Sequence, residues 1–414
     1  MRILLWHGYL LGGTGSNVYT RALARAWSRA GHDVVVVCQE REPEQFDLGG
    51  AQVVRPDLPG GLLPVFVLDR YAGLTPRLLQ DFTPAERAAY VDANAAALRE
   101  LLPADLVFAN HVLLGAPVGA AVGGVRFRVK AHGSELEYSM RGRPELERWG
   151  AETLALADAT YVGSAHIRTV LEEVVGHVDR VIEVPPGVDV DEFVFEDRAA
   201  ALSALIDEAR RDPLNPRNAE ERLPDAGNAE RFADYFADER PTIVYFGKLI
   251  EQKGVQVLLE AMDGVDARLV VVGFGPYRAT LESMAPKRTL FTGPFEHRHL
   301  ARLLPLADVT VVPSIFPEAF GMVAAEAAAA GSPPLVARHS GLAEVAAGLE
   351  ASYPERFRRL ASFATGDAAD LAAKLNRILA LPRAEHDELR AAARAAVVER
   401  WSWESVASRL VAES

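Results

Sequence analysis

The sequence predicts an α/β protein made of two doubly wound, Rossmann-like domains that face each other across a cleft. Three observations carry this expectation. The chain has 414 residues, too many for one ordinary core and enough for two domains of roughly 150–200 residues. Short β-branched runs alternate with longer helical patterns from residue 2 onward, and after an interruption near 196–240 the same rhythm restarts. The strands are apolar almost throughout, as in a parallel sheet covered on both faces.

The first unit of the pattern is "RILLW" (2–6), "SNVYTRALARAWSRAG" (16–31) and "DVVVVC" (33–38). In its middle piece Tyr19, Leu23, Ala26 and Ala30 recur at helical spacing, and Gly31 ends the helix. Further strands are expected at "DLVFANH", "VRFRVKAH", "ATYVGS" and "RVIEVPP", with helices over 84–101 and 144–157, giving an N-terminal domain over 1–190. Residues 191–240 are acidic, contain Arg, Asn and Pro, and lack strand signals, so they read as a linker or helical insertion. Strands resume at "TIVYFG", "ARLVVVG", "TLFTG", "DVTVVP" and "PPLVA", which defines a C-terminal domain over 241–398. Residues 399–414 are helical, with Ser402 placed as an N-cap, and are expected to cross back onto the first domain. Doubly wound sheets bind ligands beyond the carboxyl ends of their strands.

Composition narrows the function. Hydrophobic residues are 49% and charged residues 24% of the chain, as in a globular protein. Forty-four Lys and Arg stand against 57 Asp and Glu, for a formal charge of -13. Nucleic acid and strongly anionic membranes repel such a surface. The longest apolar runs, such as "LLPVFVL" at 62–68, are too short to span a bilayer. The N-terminal apolar stretch lacks a small-residue cleavage site and reads as a first strand of a cytoplasmic protein. The single cysteine, Cys38, fits a reducing compartment and a small buried strand position.

Two Gly-rich turns raise a dinucleotide reading. "GGTGSN" at 12–17 opens a helix and places Gly12 and Gly13 where a backbone can approach a phosphate. "VVGFGPYR" at 271–278, with Gly273, follows its strand directly. Neither completes the dinucleotide fingerprint, since Val18 and Arg278 occupy the last glycine positions. Glu40, after the second strand, could mimic the ribose-binding acid of an NAD-dependent oxidoreductase, so that alternative stays open.

A second group of residues carries charge. "FGKLIEQKG" places Lys248 just past a strand and Lys253 at the start of the next helix, a pairing suited to a diphosphate. In "PEAFGMVAAEAAAAG" (317–331), Glu318 lies in the loop before a helix, beside the N–H groups of Phe320 and Gly321. Glu326 lies inside that helix among alanines, where a carboxylate needs a partner such as vicinal hydroxyls. "DVD" at 189–191 reads as a structural junction, "HRH" at 297–299 lacks further ligands, and no metal is expected. His132, in "KAHGSE", sits at a strand end before a tight turn.

Together, Glu-x7-Glu after "VVPSIFPEAFG", with "FGKLIEQKG", "VVGFGP", "HGSELE" and "VPPGVDVDEF", resemble the retaining GT-B glycosyltransferases of family 4 over nearly the whole chain. The resemblance implies a nucleotide-diphosphate sugar as co-substrate, with no other cofactor, and a hydroxyl acceptor that is a glycan, a small molecule or lipid-linked. It implies that Lys248 and Lys253 hold the diphosphate, Glu326 the ribose, and Glu318 with the Ala319–Met322 turn the transferred sugar. Gly12, Gly13 and Gly273 would admit the phosphates closely, the stretch around Phe295 would meet the base, and His132 would face the reacting sugar. Lys248 stands where many relatives carry Arg, which loses the bidentate fork. Catalysis would need Lys248 and Lys253 to stabilise the departing diphosphate. A non-catalytic nucleotide-sugar binder remains a third reading.

Overall fold

The computed structural model describes residues 1–12, 15–66 and 74–412. Gly13 therefore lies outside the described residues. The chain divides into two compact units, Met1–Gly187 with Trp403–Ser414, and Val188–Ser402.

The first unit holds strands β1 (Arg2–Trp6), β2 (Asp33–Val37), β3 (Gln52–Val54), β4 (Leu62–Val65), β5 (Thr75–Leu78), β6 (Leu106–Asn110), β7 (Phe127–Lys130), β8 (Ala159–Val162) and β9 (Val181–Glu183). Seven of them form a sheet in the order β3-β2-β1-β6-β7-β8-β9, and β4 pairs with β5 in a small separate sheet. All pairs in the large sheet are parallel. Side chains on β1 alternate between two cores: Leu4 and Trp6 pack on one face, Ile3 and Leu5 on the other. This two-residue period fills both faces and explains why the strands read as continuous apolar runs. Cys38 is buried at the end of β2, and burial pushes its thiol up to about 12.

The helix Trp403–Ala412 closes one of those faces. Trp27 Nε1–H donates to the Ala407 carbonyl at 2.9 Å, and Arg128 and Tyr161 both donate to the Leu410 carbonyl, at 2.6 and 3.2 Å. Three polar groups, one on the helix Gly15–Arg29 and two on β7 and β8, thus find their acceptors on the last helix.

The second unit holds β10 (Thr242–Phe246), β11 (Arg268–Val272), β12 (Thr289–Phe291), β13 (Val309–Val312), β14 (Pro334–Ala337) and β15 (Ser362–Phe363), in the order β12-β11-β10-β13-β14-β15 and again all parallel. Within residues 191–240 the helices Arg198–Ala209 and Asn228–Tyr235 bury Ala201, Leu205 and Phe232 in this unit's core. Asp225 there accepts hydrogen bonds from both terminal N–H groups of the Arg278 guanidinium. Among the described residues, no helix is long and apolar enough to cross a membrane.

Candidate functional site

A doubly wound sheet leaves a crevice where the strand order reverses, because the loops on either side leave in opposite directions. In the second unit that point lies between β10 and β13, and the loops after these two strands carry Lys248, Lys253 and Glu318.

After β10, Tyr245 Oη donates to the Lys248 carbonyl at 2.8 Å, which fixes the turn and leaves the Lys248 side chain exposed. The chain then passes through a tight turn, Glu251–Lys253, to Gly254 at φ 69. A Cβ on Gly254 would stand 1.9 Å from the Pro313 carbonyl oxygen, so only glycine lets the two loops meet. Ile315 N–H donates to the Gln252 carbonyl at 3.0 Å and ties them together. Lys253 Nζ reaches Glu318 Oε1 at 2.5 Å, a half-buried ion pair across the reversal point. The sequence pattern separates these residues as a phosphate-binding cation and a sugar-binding carboxylate; the structure makes them partners. Lys253 also stands in the turn before the helix Val255–Ala261, not at its first position.

Glu318 is held from its backbone as well. Its N–H donates to Ser340 Oγ at 2.9 Å, the Ser340 hydroxyl faces His339 Nδ1 at 3.0 Å, and His339 Nε2 faces the Ser314 carbonyl at 2.7 Å. The carbonyl can only accept, so His339 Nε2–H donates to it and Nδ1 is placed to accept a hydrogen bond from the Ser340 hydroxyl. Ser340 has φ 45, a strained backbone for a non-glycine residue. His339 and Ser340 follow β14 and were not singled out by any motif. Their place just beyond the end of β14 is the one signal that could have found them.

Beyond Glu318, Ala319 is exposed, Phe320 is buried, and Gly321 precedes the helix Met322–Ala329. Among the described residues nothing accepts the N–H groups of Phe320, Gly321 or Met322. They form a helix-start cradle with an electropositive bias. Glu326 points from the same helix into a buried position, 8% exposed. Burial pushes its pKa up to about 7; His297 opposes that rise and Glu192 adds to it. The exposed-helix alternative for Glu326 is therefore excluded.

Gly273 and Phe295 occupy the neighbouring strand ends. A Cβ on Gly273, at φ 148, would lie 1.8 Å from the Gly247 carbonyl oxygen, so its glycine is required by loop packing. Phe295 stacks on His299 at 4.7 Å between ring centroids and meets the edge of Phe232. Asp189 of "DVD" accepts the N–H groups of Asp191 and Glu192, a turn cap as expected.

In the first unit the strand order reverses between β1 and β6. Here the strand ends bring together His7, His111 and His132, of which the sequence reading named only the last. Asn110 donates through Nδ2 to the Trp6 carbonyl and Thr20 Oγ1, so its Oδ1 accepts from His132 Nε2 at 2.9 Å. Burial pulls the His132 pKa well down, with His111, Lys130 and His7 adding to the effect. His132 is thus a neutral ring that donates through Nε2 and keeps a lone pair on Nδ1. His7 pairs with Asn17 at 2.8 Å, and burial with the nearby His111 lowers it to about 3. Asn17 in turn donates to the Gly12 carbonyl, which ties the Gly-rich loop to its helix.

His111 has φ 74 and is 1% exposed. Its Nδ1 lies 2.6 Å from Oε2 of the fully buried Glu135, whose Oε1 accepts the N–H groups of His132 and Val112. One carboxylate thereby joins the ends of β6 and β7. Glu40, the candidate ribose acid of the dinucleotide reading, accepts N–H groups from Arg41 and Glu42 in its own loop and from Leu11 in the loop after β1.

Known proteins share the family and the fold. Glycosyltransferase Family 4 matches residues 13–192, and Glycosyl transferases group 1 matches residues 228–396. A GDP-mannose-dependent alpha-(1-6)-phosphatidylinositol monomannoside mannosyltransferase of Mycobacterium tuberculosis is 28% identical over 320 residues, covering 73% of this chain and 72% of its own. HepE of Anabaena, solved in complex with UDP, superposes with a TM-score of 0.68 at 16% identity, over 100% of this chain and 99% of its own. Sucrose-phosphate synthase of Thermosynechococcus elongatus gives 0.67 at 21% identity, over 99% and 97%. These two likenesses show the fold, GT-B. With both family matches in chain order, the protein belongs to the group 1 glycosyl transferases of family 4 and is a glycosyltransferase.

Proposed function

We propose that this glycosyltransferase moves a sugar from a nucleotide-diphosphate sugar, GDP- or UDP-linked, to a hydroxyl of its acceptor, with retention of configuration and without a metal ion. The observation that carries the reading is the Lys253–Glu318 pair at the strand-order reversal, beside free helix-start amides and the buried Glu326. Lys248 and Lys253 take the diphosphate, and Glu326 accepts hydrogen bonds from the vicinal hydroxyls of the ribose. Glu318, with the Phe320 and Gly321 amides, holds the transferred sugar. By family resemblance, His132 hydrogen-bonds the reacting sugar.

In the reaction the bond from the sugar's anomeric carbon to the phosphate oxygen breaks, and a bond from that carbon to the acceptor oxygen forms on the same face. The acceptor's proton passes to the leaving phosphate oxygen. Negative charge grows on the diphosphate as the bond breaks, and ammonium groups already in place lower that barrier. Lys253 reaches this task by exchanging part of its Glu318 contact for phosphate, while Glu318 turns to sugar hydroxyls. A neutral His132 suits hydrogen bonding and not proton donation.

The donor name of the mycobacterial relative makes GDP-mannose the first donor to test, and a UDP-glucose complex of HepE makes UDP-glucose the second. Calorimetry with GDP, UDP and their sugars should show binding that Lys248→Ala and Glu326→Ala each weaken by about tenfold or more, the worth of a charge-assisted hydrogen bond. Unchanged affinity in both variants, or stabilisation by NADH with no response to nucleoside diphosphates, overturns the reading. Release of free nucleotide only in the presence of an acceptor pool separates a transferase from a sugar-nucleotide binder.

A further inference from the structure

Glu326 has a charged neighbour in the second unit. Its Oε1 lies 3.8 Å from His297 Nε2, and His297 Nδ1 lies 3.3 Å from Glu192 Oε2. The ring of His297 also meets Phe193 edge-on at 5.4 Å between centroids. One imidazole therefore stands between a buried carboxylate on the helix Met322–Ala329 and a more exposed one on the 189–193 turn.

The other charged groups around it are engaged elsewhere. On its own helix, Arg298 pairs with Glu296, Glu208 and Asp212. On the turn, Asp189 caps the N–H groups of Asp191 and Glu192. From the helix Arg383–Trp401, Arg394 gives its guanidinium to the carbonyls of Phe193, Ala329 and Val190, with Asp191 the nearby acid. Among the described residues, His297 is the basic side chain recorded within ion-pair distance of Glu326, and it is a cation when protonated.

We propose that His297 is a positioning residue of the donor site: anchored by Glu192, its imidazole when protonated favours the ionised form of the buried Glu326 carboxylate and aims it at vicinal hydroxyls, and so makes donor affinity depend on pH. The inference rests on Glu326 being the ribose contact proposed above. A carboxylate can accept from both hydroxyls of a diol, whereas a protonated carboxyl must turn one oxygen into a donor. Burial favours the protonated form, and a cation within a few ångströms offsets it.

Calorimetry with GDP and UDP between pH 5.5 and 9 tests this in wild type, His297→Asn and His297→Lys. Affinity should fall toward acid in wild type. In His297→Asn the midpoint should move up by about 1 pH unit, the usual effect of losing one close opposite charge, so that binding at pH 7 weakens about three- to tenfold and recovers at pH 9. His297→Lys, which keeps a cation, should bind at pH 7 within about threefold of wild type. Equal weakening of His297→Asn at every pH, or an unchanged profile, overturns the proposal. If neither nucleotide binds wild type at any pH, the ribose reading of Glu326 fails by itself. The His297 coupling is then read from the carboxyl 13C titration of Glu326, where an unmoved midpoint in His297→Asn overturns it.

Discussion

Glu326 carries a carboxyl group where the helix Met322–Ala329 otherwise buries only alanines, and this placement has a cost that can be measured. Its folded pKa of about 7 lies above the ordinary carboxylate value of 4.5. Between those values the folded state holds a proton that the unfolded chain has released, so stability falls as pH rises through the window and levels off above it. Glu326→Gln removes the titrating group. The variant should be more stable than wild type at pH 8 by up to about 3 kcal/mol, and by much less at pH 5. Urea denaturation at the two pH values checks this, and a difference independent of pH would sink it. Such a gain alongside weaker donor binding is the pattern expected of a residue kept for function at the expense of stability.

The loops beyond β10, β13 and β14 act as one element. Ser340→Ala deletes the acceptor of the Glu318 N–H and the link to His339. A loss of about 1 kcal/mol is expected, with faster amide hydrogen exchange confined to residues 314–321. Gly254→Ala acts on the same element by contact with the Pro313 carbonyl and should cost more than about 2 kcal/mol, visible as a lowered urea midpoint. Much of this was legible in sequence. Strand ends followed by Lys248, Lys253 and Glu318 could be found because a parallel sheet places every such end on one edge. The two-residue strand β15 could not, since it is too short for any period to register. His297 was weighed only within "HRH", and its pairing with Glu192 escaped for another reason: the two are 105 residues apart in the chain. His111 was hidden in an apolar strand end, where nothing in its neighbours announces the left-handed backbone or the buried Glu135.

At the scale of the whole molecule, the two units should respond to acid differently, because they bury titratable groups of opposite kind. The first unit buries His7, lowered to about 3, His132, also lowered, and Lys130, lowered to about 7 by burial against the pull of Glu135. His7 and His132 are held neutral in the fold and take up a proton more readily when unfolded, so both withdraw stability as pH falls below about 6.5, whereas the Lys130 contribution is already complete by about pH 7. For His7 the loss begins near 6.5 and reaches about 2 kcal/mol at pH 5. Glu326 in the second unit works the other way, partly offset by His299, whose pKa burial lowers. Carboxylates whose pKa values are lowered, such as Glu86 and Glu208, matter only below about 4.5. Hydrogen exchange measured at pH 8 and pH 5, corrected for intrinsic rates, should therefore show protection falling in the β1 and β6 strands. Protection in β10 and β13 should hold or rise, and Glu326→Gln should abolish that advantage. Equal losses in both sheets, unaffected by the substitution, would mean that the buried carboxyl is not protonated near neutral pH.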